Sequence, residues 1–389
     1  MADTSKLTGL NSVLKDIAKK FGDSVVKYNV DELVVDGILS LGSPSADFAI
    51  YGGVPEGRIV ELFGAEGSGK TTTAFLIAAS YQREEIKRNP DNPRAIVFLD
   101  NEGTADPVWA KKLGYDMGET AIVPTICIRP EGQSAEDIFD MALNMLKTGE
   151  VGLLIFDSIA TLVPQQIASE SMTQYQIGGV AKSLTRFANT AIGLLRKYKA
   201  TLIAINQVRE RMDQYGEKEI TPGGRAWKHA CSMRLKFKRG NFFDEEGKEL
   251  QVKNANSPAG HIIEVFVAKT KVCKWDRKLA YYHLNYVSGI DILQDTIDTS
   301  INLGLIDNST QGSYVITIDD VNEKIRGKAN LNKYLNEHKD VWKKLYDRCY
   351  ELMAKKDDPY IKSFEDMLNI NLGDKFDVDM SNEESLEEM

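Results

Sequence analysis

Residues that commonly build metal sites and disulfide bonds are scarce in this sequence. Only four cysteines and four histidines occur among its 389 residues. The cysteines, at Cys127, Cys231, Cys273 and Cys349, are widely separated, and their spacing matches no zinc-binding pattern. We therefore expect no zinc site, and we expect reduced thiols in an intracellular protein.

Long apolar runs are also lacking. No run of about 18 apolar residues occurs, and the polar residues 1–6 lack the apolar core of a signal peptide. The sequence therefore predicts a cytoplasmic protein with no membrane partner. The formal net charge of −9, taken over the whole chain, argues against binding of nucleic acid. A local patch of the surface can nevertheless have the opposite sign.

Short β-rich runs alternate with helical stretches from Arg58 onward. Several runs are almost entirely apolar, as strands are when helices cover both faces of a parallel sheet. The alternation predicts an α/β fold with a largely parallel central sheet flanked by helices. Later, more amphipathic runs predict an added antiparallel edge. The runs are residues 59–63, 95–100, 152–157, 201–206, 233–237 and 261–268.

Segments on both sides of this core have a different composition. Apolar residues recur at helical spacing between residues 7 and 21, which predicts a helix that docks on a neighbouring subunit or on its own domain. Residues 242–258 are polar and turn-rich and predict a loop or hairpin.

The sequence predicts four parts. Residues 1–35 form an N-terminal helix and linker for subunit packing, and residues 36–290 form the core. Residues 291–372 form a small α/β C-terminal domain with helices at 331–337 and 341–354, and residues 373–389 form a disordered acidic tail.

One segment matches the phosphate-binding pattern G-x-x-x-x-G-K-[ST] at every fixed position. It follows a predicted strand and precedes a helix that we expect to begin near Thr72. Its glycines let backbone N–H groups approach phosphate oxygens, and the N-terminus of the helix adds a favourable dipole. We expect Lys70 to bridge the β- and γ-phosphates of ATP, and the Thr71 hydroxyl to bind Mg²⁺. The nucleotide-binding residues expected here are Gly64, Ala65, Glu66, Gly67, Ser68, Gly69, Lys70, Thr71 and Thr72.

Two acidic residues follow other predicted strands. Asp157, followed by Ser158, ends an apolar run, where a carboxylate can hold the water shell of Mg²⁺. Glu102 lies just past residues 95–100, at the strand end where α/β sheets bind ligands. It can activate the attacking water as a general base, although a solvated loop acid would look the same in the sequence. Together with the phosphate-binding loop, these residues predict an ATPase.

Basic charge is concentrated between Lys182 and Arg239. This segment contains fourteen Lys and Arg residues and four Asp and Glu residues, a local balance of +10. Lys182 and Arg186 lie four apart on a predicted helix and share a face. Arginines beside glycines and an aromatic ring suit the phosphates and bases of single-stranded DNA, although a solvated basic face would have a similar composition. The expected loop residues are Arg209, Arg211, Tyr215, Gly223, Gly224 and Arg225.

The acidic tail has two interpretations beside this basic surface. Residues 374–389 contain seven acidic residues and one lysine. Such a tail would compete with DNA for the basic segment, or it would serve only solubility.

Taken together, these elements resemble the RecA recombinase family of bacteria and phages, over nearly the whole chain. The resemblance begins at residues 52–61, with the sequence GGVPEGRIVE, which lead into the phosphate-binding loop. It continues through residues 157–164, DSIATLVP. The most specific stretches are residues 205–209, INQVR, and residues 221–226, TPGGRA.

The resemblance implies roles for individual residues. Glu102 resembles the carboxylate that activates water, and Gln207 resembles the residue that senses the γ-phosphate and signals to the DNA-binding loop. Asp106 and Trp109 resemble the pair that contacts adenine, with tryptophan where the family typically has tyrosine. Gly103 stands where the family has a histidine after the catalytic carboxylate.

Two lysines on a predicted strand complete the catalytic set that the resemblance implies. Lys269 and Lys271 resemble the pair that reaches the γ-phosphate of the neighbouring subunit, in the manner of an arginine finger. By spacing alone, alternate lysines on a strand are typical of a solvated face.

The resemblance implies ATP and Mg²⁺ as cofactors, a helical homo-oligomer on single-stranded DNA, double-stranded DNA as a second partner, and single-strand-binding and loading proteins as accessories. We therefore predict a DNA-dependent ATPase that catalyses homologous pairing and strand exchange in recombination and repair. One alternative is a hexameric, helicase-like DNA motor, since the same core fold can form a closed ring. The other is a DNA-binding accessory protein that binds ATP without hydrolysis.

Overall fold

The structure is a computed structural model that describes residues 8–21, 37–165, 179–210, 219–245, 247–251 and 255–354. Several parts of the sequence-based prediction lie outside the described residues. They are residues 1–7 and 22–35 of the N-terminal segment, residues 355–372 of the C-terminal domain, the acidic tail, and the loop residues Arg211 and Tyr215.

Helices and strands alternate along most of the described chain. The α-helices are α1 (Thr8–Phe21), α2 (Pro44–Ala49), α3 (Lys70–Arg88), α4 (Pro107–Lys112), α5 (Ala135–Thr148), α6 (Gly179–Tyr198), α7 (Gly224–Ala230), α8 (Ile292–Asn302), α9 (Lys328–Glu337) and α10 (Lys339–Ala354). The strands are β1 (Ile38–Leu39), β2 (Val54–Pro55), β3 (Ile59–Gly64), β4 (Ala95–Asp100), β5 (Thr125–Ile128), β6 (Val151–Asp157), β7 (Thr201–Gln207), β8 (Arg209–Glu210), β9 (Glu219–Ile220), β10 (Met233–Phe243), β11 (Glu249–Leu250), β12 (Gly260–Thr270), β13 (Leu279–Asn285), β14 (Gly289–Ile290), β15 (Ile306–Asp307), β16 (Ser313–Ile318) and β17 (Val321–Arg326).

One large sheet forms the centre of the molecule. Its strand order is β14-β13-β12-β10-β3-β7-β6-β4-β5, and β11 pairs with β10. Neighbouring strands from β10 to β5 are parallel, whereas β12, β13 and β14 add an antiparallel edge. Each of the six predicted runs is a strand of this sheet. The predicted α/β fold with a largely parallel central sheet is therefore confirmed.

Alternate residues of the central strands pack into different hydrophobic cores. In β4, Ile96 and Phe98 pack with α3, whereas Val97 and Leu99 pack with α5 and α6 on the other face. All four side chains are fully buried. Because successive side chains of a strand point to opposite faces, a strand covered on both faces is apolar at nearly every position.

Local capping sets the bounds of the flanking helices. The Ser134 hydroxyl accepts from the Asp137 N–H, the Asp137 carboxylate accepts from the Ser134 N–H, and Gly149 ends α5 in the left-handed region, with φ of 77°. The helix that we expected near Thr72 begins at Lys70, directly after Gly69. Strands β10 and β11 pair antiparallel, with Phe242 opposite Leu250, as the predicted hairpin requires.

The chain after Asp291 has a sheet and a hydrophobic cluster of its own. The strands β15, β16 and β17 form an antiparallel sheet, and buried Ile297, Ile316, Leu331 and Leu345 pack between it and the helices α8 to α10. The helices predicted at 331–337 and 341–354 are parts of α9 and α10. The boundaries of the predicted domains stay a prediction. Within the described ranges, no helix combines the length and the apolar character that spanning a bilayer requires.

Candidate nucleotide-binding site

Four parallel strands end at the same edge of the sheet, and each brings a candidate residue there. Gly64, at the end of β3, pairs with Gln207 at the end of β7. Asp100, at the end of β4, pairs with Asp157 at the end of β6. This register brings the phosphate-binding loop, Gln207 and Asp157 together at the carboxyl edge, where α/β sheets bind ligands.

The phosphate-binding loop has a backbone that glycine makes possible. Gly69 precedes α3 with a φ of 90°, in the left-handed region that glycine adopts readily. A Cβ on Gly64 would lie 2.1 Å from the carbonyl oxygen of Phe237. Within the loop, Lys70 Nζ and Ser68 Oγ both donate to the carbonyl oxygen of Ala65, each at 2.7 Å. The loop thus holds its lysine beside the N-terminus of a long helix, as an anion site requires.

Thr71 and Asp157 fit a magnesium ion. The Thr71 hydroxyl donates to Asp157 Oδ2 at 2.7 Å, and the buried Oδ1 of Asp157 has no hydrogen-bond partner among the described residues. Hydroxyl and carboxylate oxygens are the ligands that Mg²⁺ prefers. Burial raises the pKa of Asp157 to about 6, and Glu102 and Asp100 nearby also raise it. Burial lowers the pKa of Lys70, against the attraction of the Asp157 carboxylate. A cation bound by Thr71 and Asp157 would offset the repulsion between the Asp157 carboxylate and the nearby carboxylates of Glu102 and Asp100.

Glu102 lies in a loop that is tied to the end of β6. The backbone N–H groups of Asn101 and Glu102 donate to the carbonyl oxygen of Asp157, at 2.7 and 3.2 Å. Glu102 Oε1 accepts hydrogen bonds from Ser158 Oγ at 2.6 Å and from Gln207 Nε2 at 2.9 Å. These two hydrogen bonds tie the carboxylate of this exposed residue to the ends of β6 and β7.

Trp109 and Asp106 are placed differently. Trp109 Nε1 lies 3.4 Å from Thr72 Oγ1, and its ring lines the cleft above the phosphate-binding loop. Asp106 caps α4, because its Oδ1 accepts from the N–H groups of Val108 and Trp109 at 2.8 and 3.1 Å. One carboxylate oxygen of Asp106 is thus used to start the helix that carries Trp109.

The cleft at this edge has a volume of about 410 Å³. The predicted residues from Glu66 to Thr72 line it, with Glu102, Trp109, Asp157 and Gln207. Sequence reasoning missed His261, Leu284 and Tyr286, which also line the cleft. His261 Nδ1 lies 2.9 Å from the Tyr286 hydroxyl, and burial lowers the pKa of His261 to about 4, so its ring is neutral at pH 7. No motif marks these residues, because the pairing of β12 with β10 and β13 brings them to the cleft.

Residues 8–291 match the family described as the RecA N-terminal domain. The chain belongs to the RecA family. Among its relatives are the proteins named Protein RecA from Aquifex pyrophilus (32% identical over 354 residues, 90% of this chain and 93% of the relative), Aquifex aeolicus (32% over 342 residues, 87% and 90%) and Teredinibacter turnerae (31% over 350 residues, 89% and 94%). Membership confirms the predicted family and the predicted class of function, a recombinase with DNA-dependent ATPase activity.

In this RecA-family protein, Lys269 and Lys271 do not reach the cleft. Thr270 pairs with Met233, and Met233 pairs with Val60, near the beginning of β3 rather than near Gly64 at its end. The two lysines therefore lie toward the opposite edge of the sheet. Lys269 Nζ donates to the carbonyl oxygens of Lys228, His229 and Cys231, and Lys271 Nζ donates to that of His229 at 2.6 Å. These lysines therefore do not contribute to the cleft of their own subunit.

The candidate DNA-binding residues in the described part of this RecA-family protein lie on α6, on β8 and at the start of α7. Lys182 and Arg186 are exposed on α6, as are Arg209 on β8 and Arg225 on α7. The strands β8 and β9 pair to form a short stem, and Gly223, with a φ of 105°, starts α7 with Gly224. Arg209 also donates to the carbonyl oxygen of Ala160 at 3.3 Å. The stem begins directly after the strand that carries Gln207.

Proposed function

We propose that this protein hydrolyses ATP in the cleft described above when single-stranded DNA is bound, and that it catalyses homologous pairing and strand exchange in a helical filament. The observation that carries the proposal is the hydrogen bond from Gln207 Nε2 to Glu102 Oε1 (2.9 Å). Gln207 ends β7, and the stem of the candidate DNA-binding loop begins at Arg209. Gln207 thus contacts the candidate general base and lies next to the candidate DNA-binding loop. A change in the loop can therefore affect Glu102, and a change at Glu102 can affect the loop.

Hydrolysis would use the side chains that the sheet edge assembles. The phosphate-binding loop and Lys70 would hold the β- and γ-phosphates, and Trp109 would stack on the base. Thr71 and Asp157 would hold Mg²⁺, which neutralises charge on the β- and γ-phosphate oxygens when it is bound. Glu102 would take a proton from the water that attacks the γ-phosphorus. As the new P–O bond forms, the bond to the β,γ-bridging oxygen breaks, and ADP and phosphate are released.

Two features support an active site shared between subunits. The edge of the sheet opposite the cleft carries the ammonium groups of Lys269 and Lys271, which would stabilise charge on the transferred phosphoryl group of the next subunit. Burial, with the neighbouring Lys271, lowers the pKa of Lys269. An anionic phosphate would therefore relieve repulsion between the two lysines.

DNA would be held mainly through its phosphates. The candidate contacts are exposed side chains that supply positive charge for phosphates rather than a defined pattern of donors for base edges. They are Lys182, Arg186, Arg209 and Arg225. We expect steep dependence of DNA affinity on salt concentration and little sequence preference. Recognition of homology would then come from base pairing between the strands, and single-strand-binding and loading proteins would act on the DNA before this protein does.

The test is steady-state ATP hydrolysis with and without single-stranded DNA. We expect DNA to raise the rate of the wild-type protein, and we expect Glu102→Gln to lower kcat by about 100-fold or more, because a general base contributes about 10²–10⁴ in rate. The variant should still bind DNA in the presence of ATP. Glu131→Gln, at an exposed glutamate outside the cleft, serves as the matched control. A wild-type rate that does not respond to DNA would contradict the proposal and favour a DNA-independent motor or a binding protein.

A further inference from the structure

The carboxylate of Glu61 is buried in the middle of the sheet, and the mechanism above does not use it. Glu61 is fully buried, with 0% of its surface exposed. Glu61 Oε1 accepts from Asn206 Nδ2 at 2.7 Å and from Trp227 Nε1 at 2.9 Å, and Oε2 accepts from Arg234 Nε. An ionised carboxylate is tolerated at such depth only when it is paired and hydrogen-bonded, and Glu61 has donors on both oxygens.

One side of this arrangement leads to the nucleotide site. Glu61 lies in β3, the strand that ends at Gly64 of the phosphate-binding loop. Asn206 precedes Gln207 in β7, and Asn206 Oδ1 accepts from the backbone N–H of Gln207 at 3.0 Å. The position of Asn206 therefore affects the backbone of the residue that contacts Glu102.

The other side leads to the end of the candidate DNA-binding loop. Arg234 Nη2 donates to the hydroxyl of Thr221 at 3.1 Å, and Asn206 Nδ2 also donates to the carbonyl oxygen of Pro222 at 3.0 Å. Thr221 is 8% exposed and lies between β9 and the start of α7. Trp227, which donates to Glu61, lies in α7 itself. The chain that returns from the loop is thus linked to the carboxylate indirectly, through Arg234 and Asn206, and directly through Trp227 of α7.

We propose that Glu61 is a positioning residue that couples the DNA-binding loop to ATP hydrolysis, an inference that rests on the function proposed above. Asn206 and Arg234 share the Glu61 carboxylate, and each also contacts the returning chain. A displacement of Thr221 or Pro222 by DNA therefore changes the hydrogen bonds of Asn206, and through Asn206 the backbone of Gln207. The contacts form a continuous path from the loop to the ATPase site.

The decisive variant is Glu61→Gln, which keeps the size of the side chain. A glutamine must turn its NH₂ group toward a donor, either Arg234 or the pair Asn206 and Trp227, so one part of the arrangement is broken. We expect the factor by which single-stranded DNA raises kcat to fall about tenfold, a typical size for coupling between two sites. The DNA-free rate and the affinity for a fluorescent ATP analogue should stay within about twofold of the wild-type values.

Glu85→Gln is the matched control. Glu85 is also fully buried and is paired with Arg94 at 3.0 Å, but it lies in α3, and its hydrogen bonds to Asn89 and Arg94 involve neither β7 nor the returning chain. This variant loses a buried carboxylate–arginine pair, as Glu61→Gln does. It should lower the temperature of unfolding and leave the stimulation by DNA unchanged. Equal stimulation in Glu61→Gln, Glu85→Gln and the wild type would overturn the inference.

A second variant keeps the proposal testable if circular dichroism shows that Glu61→Gln is unfolded. Thr221→Val keeps the shape of Thr221 and removes the hydroxyl that accepts from Arg234. We expect stimulation by DNA to fall about threefold with the DNA-free rate retained, and unchanged stimulation in this folded variant would overturn the inference. A wild-type protein that does not respond to DNA would instead overturn the proposed function, and this inference with it.

Discussion

Glu102 Oε1 accepts hydrogen bonds from two residues that belong to different parts of the molecule. Ser158 follows Asp157, so its hydroxyl links Glu102 to the strand that would hold Mg²⁺. Gln207 precedes the stem of the candidate DNA-binding loop. At the scale of single residues, the same oxygen is therefore oriented by one donor that DNA binding should leave in place and by one that it should move.

This difference predicts distinct effects of two substitutions. Ser158→Ala should lower the ATPase rate with and without DNA by a similar factor, about 10-fold or more, because it removes one hydrogen bond to a charged group. Gln207→Ala should lower the DNA-stimulated rate much more than the DNA-free rate. Steady-state kinetics with and without single-stranded DNA measure both factors. The same ratio of stimulated to DNA-free rate in the two variants would show that the donors have the same task.

Helix α4 shows how a short element can position a side chain in the cleft. It has six residues, begins with Pro107 and is capped by the carboxylate of Asp106. The resemblance to the RecA family predicts contact of both Asp106 and Trp109 with adenine. In the structure Trp109 lines the cleft, while Asp106 fastens the first turn of the helix that carries it.

Capping by Asp106 can be separated from its charge. Asparagine caps helices about as well as aspartate, whereas alanine in place of a cap costs about 1 kcal/mol. We expect Asp106→Asn to keep the affinity for ATP within about twofold and Asp106→Ala to weaken it about fivefold, since 1.4 kcal/mol corresponds to about tenfold in affinity. Titration with a fluorescent ATP analogue measures the affinities. Equal weakening in the two variants would point to the charge of Asp106 instead of the cap.

Some elements could be predicted from the sequence and others could not, for physical reasons. The central strands are largely apolar because helices cover both faces, and this pattern is visible in residues 95–100 and 152–157, each apolar up to its final aspartate. Strand β13 was missed because its exposed positions include Leu279 and Tyr281, so no alternation of polar and apolar residues marks it.

The candidate site divides in the same way. The phosphate-binding loop, Asp157 and Glu102 are local signals, because each lies at or just past the end of an apolar run. His261, Tyr286 and the contacts of Glu61 depend on which strands become neighbours in the sheet. Glu61 lies within the family motif quoted above, but its letter alone does not show that Asn206, Trp227 and Arg234 converge on its carboxylate.

At the scale of the whole molecule, the sheet places the nucleotide cleft and the two candidate catalytic lysines toward opposite ends of its strands. The cleft lies at the carboxyl ends of the parallel strands, and Lys269 and Lys271 lie toward the other edge. A two-fold dimer would place like surfaces together, whereas a head-to-tail contact can place the lysines of one subunit against the cleft of the next. The structure therefore favours head-to-tail assembly if the lysines are catalytic.

Mixing two inactive variants tests this arrangement. Glu102→Gln and the double variant Lys269→Ala, Lys271→Ala should each hydrolyse ATP very slowly alone. In a one-to-one mixture that assembles head to tail, about one contact in four joins an intact Glu102 to intact lysines, so about a quarter of the wild-type rate should return. A mixture of Glu102→Gln with Lys70→Ala is the control, because both defects lie in the same cleft. Recovery in neither mixture would place the lysines outside the shared site.

The two edges of the sheet also make the ends of any such stack chemically unequal. The last subunit at one end has a cleft with no neighbour to supply lysines, while the subunit at the other end presents its lysines to solvent. ATP in the terminal cleft would outlive ATP in the interior, because its site lacks two cations. ATP turnover per subunit would therefore fall as such stacks become shorter.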